Sequence, residues 1–399
     1  MEREYYIEMQ YNIMNLIQEN KLDSHAIIIM GHCEAAERLV DLLLECCYQV
    51  EAIIDNNEGK WDTCYRNVPI QSPATKLLPY RNGVSILIVS RHYEAMASQL
   101  RTMGYGKQTY KIVDYDTYSE FSLSEATFER KKKRVEQGIR LLEHLKEQYP
   151  DKRFAICPYN ALGDVYMACK YFRAFCDRKQ VSEEEYVWLV VGNGCAQIPP
   201  MFGHTGVKSF KRTEMEALVQ AVIFCEEERA SIFHHDRPYT NSNILISNYY
   251  PIHFEEHYRA LVFGLQEGCK LARPIKTKRR EFKELEEGKT VILSPYAKSM
   301  SGFPEEYWIN IVKKCENRGL KVVTNVAGDE KPIAGTEAIR YAVQDMIAVA
   351  EYAGYFIGGR SGLCDVLESA QCKKFILFPE GKYSTTKMEV REFFEGERG

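Results

Sequence analysis

Residues 355–379, YFIGGRSGLCDVLESAQCKKFILFP, leave little choice of local fold. Tyr355 to Ile357 read as an apolar strand, and Gly358-Gly359 permit a sharp turn with close backbone approach. Leu363, Val366, Leu367 and Ala370 then recur at helical spacing, with Ser361 placed to cap the helix, and FILFP supplies the next strand. Such a turn presents unpaired backbone N–H groups and the positive end of a helix, which together suit an anion such as a diphosphate. Arg360 beside it offers a charged fork for phosphate. An ordinary βα turn that binds nothing is the alternative, and the local sequence does not choose between them.

The same grammar recurs upstream. Residues 1–22 predict an amphipathic helix, with Tyr6, Met9, Ile13 and Ile17 near a 3.6 period. In HAIIIMGHCEAAERLVDLLLECCYQVEAIIDNN a buried strand ends at Gly31, a helix follows, and a second strand ends at Asp55. That is the layout of a dinucleotide-binding βαβ unit. A full fingerprint would want glycines where His32-Cys33 and Ala36 lie, and only Gly31 matches. Asp55 falls where a ribose-binding acid would sit, yet DNN is also good turn chemistry. VPIQSP, the strand SILIVS (85–90), a helix from Tyr93 to Met103 and YKIVDY complete a small parallel α/β domain over 25–116.

A connecting helix spans about 118–149 and carries the run KKKR at 131–134, read as a solvated face. A second domain opens with RFAICPYNALGDVYMACK: a strand to Cys157, a loop from Pro158 to Gly163, and a helix beginning near Asp164. Asp164 thereby sits at a helix N-terminus at the C-terminal end of a strand, the usual ligand edge of an open α/β sheet. It serves there either as a charge partner of the helix or as a general base. YVWLVVG (186–192), VKSFKRT and a helix at 214–222 continue the domain. The polar loop HHDRPYTNSN and an aromatic-rich helix at 250–265 follow. His234, His235 and Asp236 invite a metal reading but lack ligand spacing, so a solvated or substrate-contacting loop is the better expectation. Past a charged connector (276–289), VILSP, a helix carrying Trp308, Ile311, Val312 and Cys315, a stop at Gly319, and KVVTNV begin a third domain.

The whole chain sets further bounds. Its 399 residues fit about two or three domains of ~150 residues. A net charge of −4 with scattered basic residues gives no nucleic-acid footprint. Thirteen cysteines without any CxxC argue against zinc ribbons and thioredoxin-like chemistry, and mostly buried free thiols suit a reducing cytoplasm. The start MEREYYIEMQ is not a signal peptide. No apolar run approaches the ~20 residues of a membrane helix. A cytoplasmic protein is expected, with peripheral membrane contact, through a partner or a lipid-linked substrate, left open.

Residues 25–116 resemble the Rossmann-like N-terminal domains of some sugar-modifying acyltransferases, through MGHCEAA, IIDNN, VPIQSP and the loop at Gly104-Tyr105. The rest resembles the GT-B glycosyltransferases, and within them the ADP-heptose:lipopolysaccharide heptosyltransferases (glycosyltransferase family 9). That resemblance covers about 152–380. It rests on ALGDVYMA (161–168), SPYAKSMSGFPEEYW (294–308) and GGRSGLCDVLESAQCKKFILFP, in the family's order and spacing. Arg360 stands where the family has Asp, and Asp365 where it has His, so a donor other than ADP-heptose is implied.

The resemblance implies an α/β protein with GT-B architecture: two Rossmann-like domains facing a cleft, preceded by a small Rossmann-like domain. The boundaries would be 1–117, a helical connector 118–150, an acceptor-side domain 151–280 and a donor domain 281–399. It implies a hexosyl- or heptosyltransferase, inverting, with no metal or cofactor, acting between a nucleotide-diphosphate sugar and a glycan or glycoconjugate in polysaccharide biosynthesis. Asp164 would be the base, with Asn160 and Gly163 in the acceptor-side loop. Lys298, Ser299, Ser301, Gly359, Arg360, Ser361, Gly362, Leu363 and Asp365 would hold the donor, Asp365 by binding sugar hydroxyls or Arg360, with compensation of the helix N-terminal dipole as its alternative role. Closure of the two domains would accompany turnover. A GT-B sugar-nucleotide epimerase and a non-catalytic nucleotide-sugar-binding or scaffold protein are the alternatives, with an oxidoreductase weaker still. Homo-oligomerisation stays open.

Overall fold

The computed structural model describes residues 1, 3–23, 25–80, 83–115, 125–234, 252–276, 280–297, 302–381 and 388–395. The chain divides into two compact units, Met1–Glu136 and Gln137–Gly399. That division falls inside the helix Glu125–Gln148, within the stretch the sequence assigned to a connector.

The first unit holds a six-stranded sheet. Its strands are β1 (Ala26–Met30), β2 (Val50–Ile54), β3 (Cys64–Tyr65), β4 (Val68–Gln71), β5 (Val84–Ile88) and β6 (Thr109–Lys111), in the order β3-β4-β2-β1-β5-β6. All neighbours are parallel except β3 and β4. The runs IIIM and SILI are buried on both faces, which is what a central parallel strand requires. The helix Arg3–Gln18 buries Met9 and Ile13 against this sheet's core.

Buried charge ties that helix to the start of the helix Glu125–Gln148. The Glu8 carboxylate accepts from the Asp114 backbone N–H at 3.0 Å and from Thr127 Oγ1 at 2.7 Å, and it pairs with Arg130. Asp114 in turn pairs with Lys111 and Lys131, each at 2.8 Å. Burial pushes the Asp114 carboxyl up, and the two ammonium groups outweigh it and bring it below its ordinary value. The run KKKR is therefore only partly a solvated face. Lys132 and Lys133 are exposed, Lys131 is spent on Asp114, and Arg134 is buried against the Tyr5 ring.

The second unit carries two parallel sheets. One contains β7 (Arg153–Ile156), β8 (Tyr186–Val191), β9 (Val207–Phe210) and β10 (Ala230–Ile232), in the order β10-β7-β8-β9. The other contains β11 (Thr290–Ser294), β12 (Lys321–Asn325), β13 (Glu337–Ile339), β14 (Gly354–Gly359) and β15 (Lys373–Leu377), ordered β13-β12-β11-β14-β15. These are the two Rossmann-like lobes that the GT-B resemblance implied. One hydrophobic core runs through both, from Trp188 and Phe172 to Phe356 and Val366. The cysteines are all free: Cys157, Cys169, Cys176, Cys195, Cys315 and Cys364 are buried, but Cys33, Cys47, Cys64 and Cys225 are exposed. Among the described residues no helix is long and apolar enough to cross a membrane.

His204 lies within the aromatic cluster beneath β8, against Trp188 and Phe172, and burial pushes its pKa down to about 4. The unfolded chain takes up a proton near pH 6.5 that the native state refuses until about pH 4, so this residue costs stability as the pH falls through that window. Replacing His204 with Phe should remove a loss of about 3 kcal/mol between those limits. Urea unfolding of both proteins at several pH values measures it, and parallel pH profiles would contradict it.

Candidate active site

The two sequence stretches singled out as ALGD and GGRSG lie at the C-terminal ends of β7 and β14, and the fold brings them into contact. After β7 the chain turns through Asn160 into the helix Leu162–Lys179, whose first turn carries Asp164. The residue at its N-cap is Ala161, which has no side chain able to bond the first amides. After β14 the chain turns through Arg360 and Ser361 into the short helix Gly362–Val366. Ser361 occupies the N-cap there but makes no side-chain capping bond, contrary to the sequence expectation. Leu363, Val366, Leu367 and Ala370 are buried, as their spacing predicted.

The approach of the two turns is limited by backbone. A Cβ on Gly362 would stand 2.5 Å from the Gly163 nitrogen, and one on Gly163 would stand 2.2 Å from Asp365 Oδ2. At Gly362 the obstacle is backbone and only glycine fits, whereas at Gly163 it is the Asp365 carboxylate, with the Gly362 Cα 3.2 Å away. The outer face of the Gly362 turn is thus covered by Leu162 and Gly163. After β7, the Asn160 amide lies against Gly192, whose φ of +78° is a left-handed value that glycine adopts freely, and accepts from Cys195 Sγ at 3.6 Å.

Arg360 is buried and engaged. Its Nη2 donates to both oxygens of Asp365, at 2.8 and 2.9 Å, and its Nη1 donates to the Ser361 carbonyl. The guanidinium carbon also stands 4.0 Å from the centroid of the Phe394 ring, supplied by the C-terminal helix Val390–Glu395. Burial pushes the Asp365 pKa up to about 6, the Arg360 charge and hydrogen bond pull it back, and the negative charges of Asp164 and Glu368 add to the rise. Two carboxylates from opposite lobes therefore interact at one site, and the Arg360 guanidinium pairs with Asp365.

Asp164 is held by residues that the sequence did not single out for that role. Tyr258 donates to Asp164 Oδ1 at 2.7 Å, and His234 Nε2 lies 3.3 Å from the same oxygen. Further out, the Lys170 ammonium joins the lobes, 2.7 Å from Glu255 and 2.9 Å from Glu368. Nothing in the local pattern around Tyr258 marks it, since it sits among Phe254, His257 and Phe263 at spacing that reads as core. His234 was conspicuous, but for its neighbours His235 and Asp236, which lie outside the described residues. Lys298, Ser299 and Ser301 also lie outside them. Among the described residues no group of His, Cys, Asp and Glu side chains could hold a metal ion.

The βαβ turn of the first unit is different. Asp55 Oδ2 accepts from the His32 backbone N–H at 2.7 Å and pairs with Lys60 at 3.1 Å, while Oδ1 accepts from Asn57 at 2.8 Å. The carboxylate serves the turn chemistry of DNN and also ties that loop to the turn after β1. The methyl of Met96 occupies the place a Cβ on Gly31 would take, at 2.8 Å.

No protein-family model matches the sequence, and no curated protein aligns with it significantly. Among solved structures, the iron-containing dodecameric glycosyltransferase TibC of enterotoxigenic E. coli is similar over 59% of this chain and 64% of its own, at 12% identity and a TM-score of 0.41. The chain thus spans less than two thirds of that protein's length. The E. coli heptosyltransferase WaaC matches over 58% of this chain and 91% of its own, at 13% identity and a TM-score of 0.35. A glycosyltransferase family 9 protein of Veillonella parvula matches over 57% and 86%, at 10% identity and a TM-score of 0.36. Solved heptosyltransferases are thus among the structures that this chain resembles.

If the glycine contact sets the approach of the lobes, Gly163→Ala should lower stability by about 1–3 kcal/mol through overpacking. Helix propensity alone would instead raise it by up to ~1 kcal/mol. The urea midpoint separates the two, and a stabilised alanine variant would show that the lobes part without cost.

Proposed function

We propose that the chain is a glycosyltransferase that moves a sugar from a nucleotide-diphosphate donor to a hydroxyl of a glycan or glycoconjugate, with inversion and without a metal. The observation that carries this reading is the meeting of Asp164 with the Arg360–Asp365 turn. The two are far apart in sequence, each was singled out on its own, and they share one site at the C-terminal ends of two parallel sheets. Ligands of open α/β sheets bind at such edges.

In this account Asp164 takes the proton of the acceptor hydroxyl, a role worth roughly 10²–10⁴-fold in rate. The amides of Ser361, Gly362 and Leu363 meet the leaving diphosphate as charge builds on it. Because Leu162 and Gly163 cover Gly362, donor entry requires the lobes to part and close again. Lys298, Ser299 and Ser301 would add donor contacts from the loop after β11.

A second reading, a non-catalytic nucleotide-sugar-binding protein, draws on the engagement of Arg360 by Asp365 and Ser361, which leaves neither Nη uncommitted. A thermal-shift series with UDP-, GDP-, ADP- and CMP-sugars comes first: a selective stabilisation is expected, and none with any of the four would remove both readings. Asp164→Asn should then abolish transfer while nucleotide binding stays within about twofold, and retained transfer would remove Asp164 from the role of base. Arg360→Ala should weaken diphosphate binding by roughly tenfold, about the 1.4 kcal/mol expected of one charge-assisted contact or of a displaced Asp365. An unaltered dissociation constant by calorimetry would move the phosphate site elsewhere.

A further inference from the structure

The surroundings of Asp164 are built from a segment whose backbone is itself unusual. Residues His257–Val262 form a π-helical turn in the region where the sequence predicted an ordinary helix over 250–265. The Phe263 N–H reaches back to the Tyr258 carbonyl at 2.9 Å, and the Leu265 N–H to the Arg259 carbonyl at 2.8 Å. Such wide turns are less favourable than α-helix and concentrate at functional sites. Here the turn holds Tyr258 fully buried beside Phe254, with its hydroxyl on Asp164. His234 approaches from the end of β10. Its ring is 6% exposed as a residue and lies 4.4 Å, centroid to centroid, from that of Tyr159.

Both groups meet the same oxygen, Oδ1, from the acceptor-side lobe. A donor on a carboxylate favours its charged form. A second carboxyl acts the opposite way. Asp365, bound to Arg360, faces it from the other lobe. Without donors behind it, a carboxyl facing a second acid in a half-dry site would hold its proton and could not accept another.

We propose that Tyr258 and His234 are positioning residues for the transfer reaction: they hold Asp164 in one rotamer and as the carboxylate, ready to accept a proton. This rests on the reading of Asp164 as the base. In the step they serve, the acceptor O–H bond breaks and its proton goes to Asp164. The freed electron pair forms the new glycosidic bond, while the bond from the anomeric carbon to the donor phosphate breaks with its pair left on the diphosphate. Neither Tyr258 nor His234 touches substrate in this account.

The test follows the Asp164 carboxyl directly. The full chain is labelled with carbon-13 at aspartate carboxyl carbons, Asp164→Asn assigns the signal, and the titration is followed by NMR in wild type, Tyr258→Phe and His234→Gln. The Phe variant should raise the Asp164 midpoint by about one pH unit, a tenfold change in acid dissociation, and His234→Gln should raise it by less. Asp164 titrating at the same pH in wild type and the Phe variant would overturn the proposal. Should the Phe variant not fold, an unchanged midpoint in His234→Gln would overturn it equally. With transfer measured as well, the Phe variant should lose kcat below its new midpoint, recover it above, and keep its KM. The NMR readout needs no turnover, so a lack of transfer would sink the functional reading while leaving this one to stand or fall on the titration.

Discussion

Two helix starts meet backbone to backbone at Gly163 and Gly362, and the candidate site takes its dimensions from that contact. Each glycine ends a loop that leaves a parallel strand, so each stands at the carboxyl edge of its sheet, where orphan amides point outward. Absence of a Cβ on both lets the loops touch, and the touch places Asp365 beside the residue that precedes Asp164. The close approach of the two turns, which lets the Asp164 charge act on Asp365, depends on glycine at Gly362.

Burying charge at such a junction is unfavourable unless each charge is met. Arg360 meets Asp365 with two hydrogen bonds and lies on the Phe394 ring, so the helix Val390–Glu395 helps hold the turn after β14. The same helix packs Phe393 and Phe394 on Phe254, and the Glu392 carbonyl lies 2.9 Å from His253 Nδ1. Lys170 adds a bridge between Glu255 and Glu368. These contacts tie the two lobes through polar groups as well as core.

Much of this was legible in the sequence, for identifiable reasons. Runs such as AIIIM, YVWLVV and TVILS are apolar on both faces and admit little but central parallel strands, and the glycines after them mark the turns. The turns that carry Asp164 and GGRSG were visible because strand-to-helix turns at sheet edges come in compact local patterns. Tyr258 was not, because a buried tyrosine among phenylalanines has the spacing of core, and the π turn that directs it leaves no periodic signature. Arg360 has the local pattern of a phosphate fork, and its pairing with Asp365 is one of three roles the sequence allows that acid, beside sugar binding and compensation of the helix dipole. Ser361 looked like a cap and makes no capping bond. In KKKR, Arg134 and Lys131 face inward because Tyr5 and Asp114 await them, a tertiary fact that no local window contains.

The central claim is that one nucleotide-diphosphate site lies between the turn at 360–363 and the helix start at 162–165. Amide hydrogen exchange with and without saturating nucleoside diphosphate addresses it most directly. Added protection confined to those two turns and to the loop after β11 is the predicted result. Protection at the Gly31 turn of the first unit instead, or no change at 162–165 and 360–363 under saturation, would contradict the account.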